Sequence, residues 1–396
     1  MTECVAPVEL LPERNGATSA GIKTAWSQQS VLEDAVAELA ACLAGGDYQH
    51  ILAFFAVSHD ATALCGQLRT AFPGVGISGC TTAGEIVPRG MIDGAILLLA
   101  FPRDSFCVHA EVIEDLPTVG MERAGGIIRR LKSRLRPDRS RHQHVFAILL
   151  VDGLSSCEET LVAALHWAID DIQLIGGSSG DNLSFEKTAL IHDGRVWPSA
   201  ALILMIETDV PFRVFKTQNF EPTSIKLVVT AADTTNRIVH ELNAEPAALE
   251  YASAIGLLPN DLGPLSFASY PLVVKVGGDY YCRSIRNMNA DGSLTFFCAI
   301  DEGLVFTVAR PQDMVASAEA TLAEVDAALG GIDLVLGFDC ILRRLDAENR
   351  QIRHQVDALY RKYHVVGFHT YGEQFNAMHL NQTLTGIAFG RSERPQ

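Results

Sequence analysis

A short apolar strand that runs into a glycine-punctuated polar turn and ends on an acid occurs three times in this chain. A recurrent unit of this kind constrains the fold more than composition can. The copies are Gly76-Ile77-Ser78-Gly79-Cys80-Thr81-Thr82-Ala83-Gly84-Glu85, Leu174-Ile175-Gly176-Gly177-Ser178-Ser179-Gly180-Asp181 and Tyr363-His364-Val365-Val366-Gly367-Phe368-His369-Thr370-Tyr371-Gly372-Glu373. From the first glycine to the acid is six residues in the first and last copies and five in the middle one. A strand and a helix precede each turn and strands follow it, as in the first copy: strand 51–57, helix 61–72, strand 75–80, then strands 95–101 and 106–113. Two strands joined through a helix lie parallel with a right-handed crossover. Hairpin additions, such as the one expected at Asp193-Gly194, make the sheets mixed. The expected class is therefore α/β to α+β, with mixed β-sheets built from repeated β-α-β-turn-β units.

With 396 residues the chain exceeds one ordinary core, so two domains are expected. Breaks at Glu221-Pro222, Asn243–Ala247 and Leu258–Pro264 lie between the second and third copies. The reading is a tail at 1–29, a first domain at 30–240, a second at 241–390 and a tail at 391–396. Apolar runs such as Ala95–Phe101 and Ala200–Ile206 are strand-length, far below the roughly 20 residues of a bilayer crossing. No apolar signal segment follows Glu3, so a soluble, cytoplasmic chain is expected, away from membranes. The net charge of −16 repels phosphate backbones and argues against nucleic acid as a partner. A basic run from Arg129 to Arg141 is the local exception, read as a solvated helix end and loop or as a docking patch for an acidic partner. Nine cysteines without a Cys-x-x-Cys pair suggest reduced thiols and signal no zinc site.

Ligands collect beyond the carboxyl ends of parallel strands, where the three turns lie. Their glycines permit close backbone approach and their hydroxyls hold turns. The candidate ligand residues are Gly79, Thr81, Thr82 and Glu85; Gly177, Ser178, Ser179 and Asp181; and Thr370, Gly372, Glu373 and Asn381. The rival reading is turn chemistry alone. A phosphate loop would open into a helix, and here strands follow. Ser155 and Ser156 precede a helix as N-caps do, and Cys157 stands at that helix start. Of twelve histidines, three stand out by their company. His369 lies inside the third turn, His379 in Asn376-Ala377-Met378-His379-Leu380, and His192 just before Asp193-Gly194. A neutral imidazole among apolar side chains such as Met378 and Phe375 suits an iron porphyrin.

Gly367 through Thr383 resembles the end of FIST C domains, and residues 79–85 with 176–181 resemble the FIST N domain. The resemblance covers roughly residues 30–390. It implies a sensory, small-molecule-binding module without enzymatic activity. The two-domain form is similar to the NosP-type haem proteins, which bind nitric oxide and regulate a sensor histidine kinase or a diguanylate cyclase or phosphodiesterase in trans. That resemblance implies haem b, with His192 or His379 as iron ligand, then His369, and with Tyr371 and Met378 beside it. A homodimer is an allowed state. The alternative is a FIST module without haem that takes another small ligand, such as an amino acid, through the turn amides with Glu85, Asp181 and Glu373.

Overall fold

The computed structural model describes residues 18, 20–135, 144–276 and 278–391. The repeated unit becomes three modules. The first holds β1 (Lys23–Ser27), α1 (Leu32–Cys42), β2 (Tyr48–Ala56), α2 (Ala61–Ala71), β3 (Gly76–Thr82), a hairpin of β4 (Glu85–Val87) and β5 (Gly90–Ile92), and β6 (Ile96–Pro102). The second holds β7 (Phe106–Ile113), α3 (Met121–Arg134), β8 (His144–Val151), α4 (Glu158–Ile169), β9 (Gln173–Ser178), a hairpin of β10 (Leu190–His192) and β11 (Arg195–Trp197), and β12 (Ala201–Thr208). The third opens with β13 (Phe212–Gln218) and is then interrupted.

The interruption is a separate β-rich domain. It comprises β14 (Phe220–Asp233), β15 (Ile238–Leu242), β16 (Glu245–Pro246), α5 (Ala247–Ile255), α6 (Pro264–Ser269), β17 (Leu272–Val276), β18 (Asp279–Arg283), β19 (Ile285–Met288), β20 (Leu294–Phe296) and β21 (Val305–Pro311). Module three then resumes with α7 (Met314–Leu329), β22 (Ile332–Cys340), α8 (Ile341–Asn349), α9 (Arg353–Lys362), β23 (Val365–Thr370), a hairpin of β24 (Glu373–Phe375) and β25 (Met378–Leu380), and β26 (Thr383–Gly390).

Each module builds one sheet but leaves it unfinished. The strand orders are β1-β6-β2-β3-β10-β11, β7-β12-β8-β9-β24-β25 and β13-β26-β22-β23-β4-β5. Read in the same direction, each sheet is a module's own four strands followed by another module's hairpin. The exchange is cyclic: module two completes sheet one, module three completes sheet two, and module one completes sheet three. The pairs β2–β3, β8–β9 and β22–β23 are parallel, as their helical crossovers require.

The first glycine of each copy has one shared role. Gly79, Gly176 and Gly367 stand opposite Ala53, Leu149 and Gly337 on the neighbouring strand. A Cβ at these positions would lie 1.8, 1.8 and 1.9 Å from the partner's carbonyl oxygen. Only glycine lets the backbones approach so closely, so strand contact, rather than a ligand, accounts for these three.

Sheet faces explain the apolar runs. Phe54 and Leu97 of sheet one, Phe146 and Leu204 of sheet two, and Phe338 and Phe389 of sheet three enter one central core. The opposite faces carry helices: α1 and α2 on sheet one, α3 and α4 on sheet two, α7, α8 and α9 on sheet three. Strands buried on both faces read as continuous apolar stretches.

Three expectations differ from the fold. Residues 23–27, assigned to a tail, form β1, which covers the outer edge of β6; this five-residue strand has too short a pattern to stand out. Residues 1–17, 19 and 392–396 of the expected tails lie outside the described residues. The boundary at 240/241 falls inside β15, and sheet three draws β13 from one side of it and β22, β23 and β26 from the other. Only Asn219 separates β13 from β14, so nothing in composition marks where the insertion begins. The sequence pattern over 342–361 reads as one helix, but the structure has two, α8 and α9, broken where Gln351 takes φ +59°.

Candidate ligand site at the domain junction

The three strand exits meet each other. The Ala83 amide donates to the His369 carbonyl (2.9 Å), Tyr371 to Ser178 (3.2 Å) and Gly180 to Thr81 (3.2 Å). These are equivalent positions in the three copies, so the turns close into a ring. Return bonds run from His369 to Gly84 and from Ser178 to Gly372, each 2.8 Å. In the remaining copy Thr81 donates instead to Ala189 (2.9 Å), beyond the longer excursion after Asp181. The turns therefore spend these amides on one another.

The acids are absorbed in the same way. Glu85 accepts from the Thr82 hydroxyl and from the Ala95 amide at 3.0 Å. Glu373 accepts from the Thr370 hydroxyl and from Thr383, amide at 3.3 Å and hydroxyl at 2.7 Å. Burial pushes the Glu85 carboxyl up to about 7 and that of Glu373 up to about 8. Asp181 instead receives the Phe185, Glu186 and Lys187 amides at 2.9, 2.7 and 2.9 Å, with the Tyr371 hydroxyl. Desolvation pushes Asp181 up, but these donors outweigh it and hold the carboxyl below its ordinary range. All three acids fasten turns.

The three histidines are not brought together. His192, half-buried on β10, accepts or donates at Ser78 Oγ through Nδ1 (2.9 Å), while His50 meets the same oxygen from the other side (2.9 Å). Its Nε2 stands 3.5 Å from Asp193. Its ladder partner is Ser78, so it sits about four residues, roughly 13 Å, before the exit of β3. His369 is fully buried, 3.6 Å from Asp339 and beneath Gly84; burial first, then Arg344, hold it neutral. His379, on β25, is buried with Nδ1 3.3 Å from the Gln374 amide nitrogen. Desolvation brings its pKa down to about 4, with Arg237 and Arg283 working against the charge of Glu159.

These surroundings do not fit a porphyrin. Both nitrogens of His192 have polar partners. A Cβ at Gly372 would lie 2.2 Å from His379 Cε1 and 2.7 Å from Nε2, so the turn itself covers that ring edge. The cavity at the same junction holds about 30 Å³, against the several hundred that a cofactor of that size fills. Met378 and Tyr371 line no haem slot: Met378 is half-buried at a hairpin end, and the Tyr371 hydroxyl is committed to Asp181 and to the Leu183 amide (2.7 Å).

The arrangement around His379 is nonetheless unusual. It lies where the insertion meets module two. Arg237, in the turn between β14 and β15, is pinned to Glu158 (3.0 Å) and Glu159 (2.7 Å) at the start of α4. The Ala299 amide donates to Glu159 at 2.6 Å, and Arg237 also donates to the Phe297 carbonyl. Phe185, Phe297 and Tyr371 pack together, and the Arg286 guanidinium stands 5.3 Å over the Phe185 ring. Burial and then Arg237 pull Arg286 below the ordinary guanidinium range, the mark of a positive locale in an acidic chain. The small cavity is lined by Gly153, Ser156, Phe185, Asn236, Arg237 and Arg286, among others.

Four buried polar atoms here have no partner among the described residues: His379 Nε2, Gln374 Oε1, Asn381 Oδ1 and Arg283 Nε. Each of these side chains is otherwise engaged. Gln374 donates to Ser178 Oγ (3.0 Å), Asn381 to the Tyr371 carbonyl (3.3 Å) and Arg283 to the Cys282 carbonyl (3.4 Å). Leaving a buried donor or acceptor unmade costs about 1–3 kcal/mol. With the Gln374 amide donating to Nδ1, the His379 ring proton sits on Nε2. The set thus offers two N–H donors and two carbonyl acceptors. The sequence had pointed to His379, Asn381 and Ser178. It gave no sign of Arg237, Arg283, Arg286 or Gln374, which come from turns and strand ends that no motif marks.

Cys157 is half-buried, and its thiol is raised first by burial and then by Glu158, so it is not an activated nucleophile. In the basic run, Lys132 pairs with Asp170 (2.5 Å) and Arg134 with Glu111 (2.7 Å). Arg136, Arg139 and Arg141 lie outside the described residues.

Three interlocked sheets thus carry an inserted β domain, with a polar junction between the two parts. The FIST N domain model matches residues 49–245 and the FIST C domain model matches 247–376. The chain belongs to the FIST family, whose domains are signal-transduction sensor modules. It is also similar to an uncharacterized protein of Methanocaldococcus jannaschii, 26% identical over 191 residues, which covers 46% of this chain and 36% of that relative. The chain thus spans about a third of the relative's length. The boundary between the two matched domains falls inside the insertion, just after β16. Among the described residues, no helix is long and apolar enough to cross a membrane.

Proposed function

We propose that the junction between body and insertion senses a small zwitterionic or carboxylate-bearing molecule, of the amino-acid kind, without haem. The observation that carries this reading is the unpartnered quartet of His379, Gln374, Asn381 and Arg283. The two N–H groups complement a carboxylate, and the two carbonyls complement an ammonium or hydroxyl donor. The closed junction holds only about 30 Å³ and Gly372 lies over His379, so seating the ligand would require the insertion to move off α4, to which Arg237, Glu158 and Glu159 tie it. A partner reading that displacement would act in trans, with a histidine kinase or a cyclic-di-GMP enzyme as the class that the family resemblance implies. The free energy available is the differential contact of the ligand with the two arrangements.

The test is a thermal-shift and calorimetric screen of the purified chain against the amino acids and small hydroxy and keto acids. One of them is expected to raise the melting temperature in the wild type and not in Asn381→Ala. A parallel sample supplemented with haem, with and without nitric oxide, and freed of unbound haem by gel filtration is expected to carry no Soret band with the protein. A screen with no responding compound, together with a gain in stability from His379→Phe, would mean that the quartet is only a poorly satisfied core. A stoichiometric Soret band lost in His379→Ala would restore the haem reading.

A further inference from the structure

We propose that Cys107, His109 and Glu207 form a binding site for a divalent cation of the zinc class. Cys107 and His109 stand two residues apart on β7, so their side chains leave the same face of sheet two. Glu207 on β12 is the ladder partner of Cys107, and its side chain leaves that face as well. One ligand atom from each lies within 4.8 Å of the other two. The Cys107 sulfur and His109 Nε2 are 3.5 Å apart. A tetrahedral zinc with bonds of about 2.3 Å to sulfur and about 2.0 Å to nitrogen holds such a pair about 3.5 Å apart.

The donor set argues for the metal's identity. A thiolate, an imidazole and a carboxylate together suit zinc, whereas magnesium and calcium take oxygen ligands. On binding, the Cys107 thiol would release its proton to solvent. The thiolate and the Glu207 carboxylate then balance the two charges of the cation, so the filled site is neutral. The backbone is already rigid, because β12 is bonded along its length to β7 on one side and to β8 on the other. Cys107 and Glu207 are buried and His109 is half-buried, which leaves a way in past the imidazole. Three protein ligands leave a fourth position for water or another small ligand. No sequence pattern announces the site, since its third ligand comes 98 residues after the second. The rival reading is a thiol–imidazole hydrogen bond at the same distance.

Full-length protein stripped with chelator is titrated with cobalt(II), then with zinc against a chromophoric chelator. One equivalent of cobalt is expected to bind with a thiolate-to-cobalt charge-transfer band. Cys107→Ser is expected to abolish that band, while Cys157→Ser leaves it intact. His109→Gln and Glu207→Gln are each expected to weaken zinc by at least about tenfold, with circular dichroism reporting the fold. Absence of stoichiometric uptake by the wild type, or a band that survives Cys107→Ser, overturns the proposal. If Cys107→Ser does not fold, wild-type zinc affinity in either of the other two variants overturns it.

Discussion

Replacing Glu373 by glutamine should make the fold less sensitive to alkali. The carboxyl is fully buried and, among the described residues, takes its hydrogen bonds from Thr370 and Thr383. Burial, helped by the nearby Asp339, lifts its pKa from 4.5 to about 8. The folded state therefore holds a proton that the unfolded chain has released, and stability falls as pH rises through that window. Each pH unit within it costs about 1.4 kcal/mol. Between pH 6.5 and 8.5 the wild type should lose about 2 kcal/mol on account of this group. Glutamine cannot ionise, so the difference between the two proteins should move by that amount in favour of the variant. At pH 6.5 the amide keeps an acceptor for Thr383 and should cost about 1 kcal/mol. Glu85, with its carboxyl lifted to about 7, is present in both proteins and cancels. Urea unfolding followed by circular dichroism at the two pH values reads the effect. Parallel profiles for the two proteins would show that the carboxylate is ionised in the fold and would refute the argument.

The strand-contact glycines should be intolerant of any side chain. Gly79→Ala and Gly367→Ala place a Cβ within 2 Å of a carbonyl oxygen and should yield no soluble folded protein, whereas Gly66→Ala, in open space on α2, should raise stability by about 0.5–1 kcal/mol. Arg344→Met removes a bidentate pair to the half-exposed Asp93 (2.7 and 2.7 Å) and a bond to the Ala83 carbonyl (3.2 Å); a loss of about 1–2 kcal/mol is expected by chemical denaturation. Tyr371→Phe takes away the hydroxyl shared by Asp181 and the Leu183 amide, and faster amide exchange over residues 183–187 should accompany a loss of about 1–3 kcal/mol. Below pH 6.5 the buried neutral histidines should dominate. His50 and His379 are held down to about 3 and about 4, so stability present above 6.5 is lost as pH falls, by about 2 kcal/mol each between pH 6.5 and 5. Urea midpoints across that interval measure it.

The repeated turns made three β-α-β units legible, because strands buried on both faces leave unbroken apolar runs such as Ile96–Phe101. Where each hairpin docks was not legible. Segments as short as Glu85–Val87 or Leu190–His192 carry too few residues to encode a partner, and their positions follow from the closure of the ring. Of the turn residues that the sequence marks, Thr82 bonds to Glu85 and Thr370 to Glu373, pairings that the three-residue spacing places side by side. Where the insertion begins was not legible, because β13 passes into β14 through one residue. The junction arginines, 237, 283 and 286, gain meaning only when the insertion folds back onto α4.

The circular trading of hairpins also governs how the chain can come into being. Sheet two waits for β24 and β25, which lie nearly two hundred residues after β9, while β4 and β5 leave the ribosome long before the strand that receives them. Neither half can finish in isolation, so a severed N-terminal fragment should present raw strand borders and clump. Biogenesis is then a single late event, with chaperones as custodians of the early-made half.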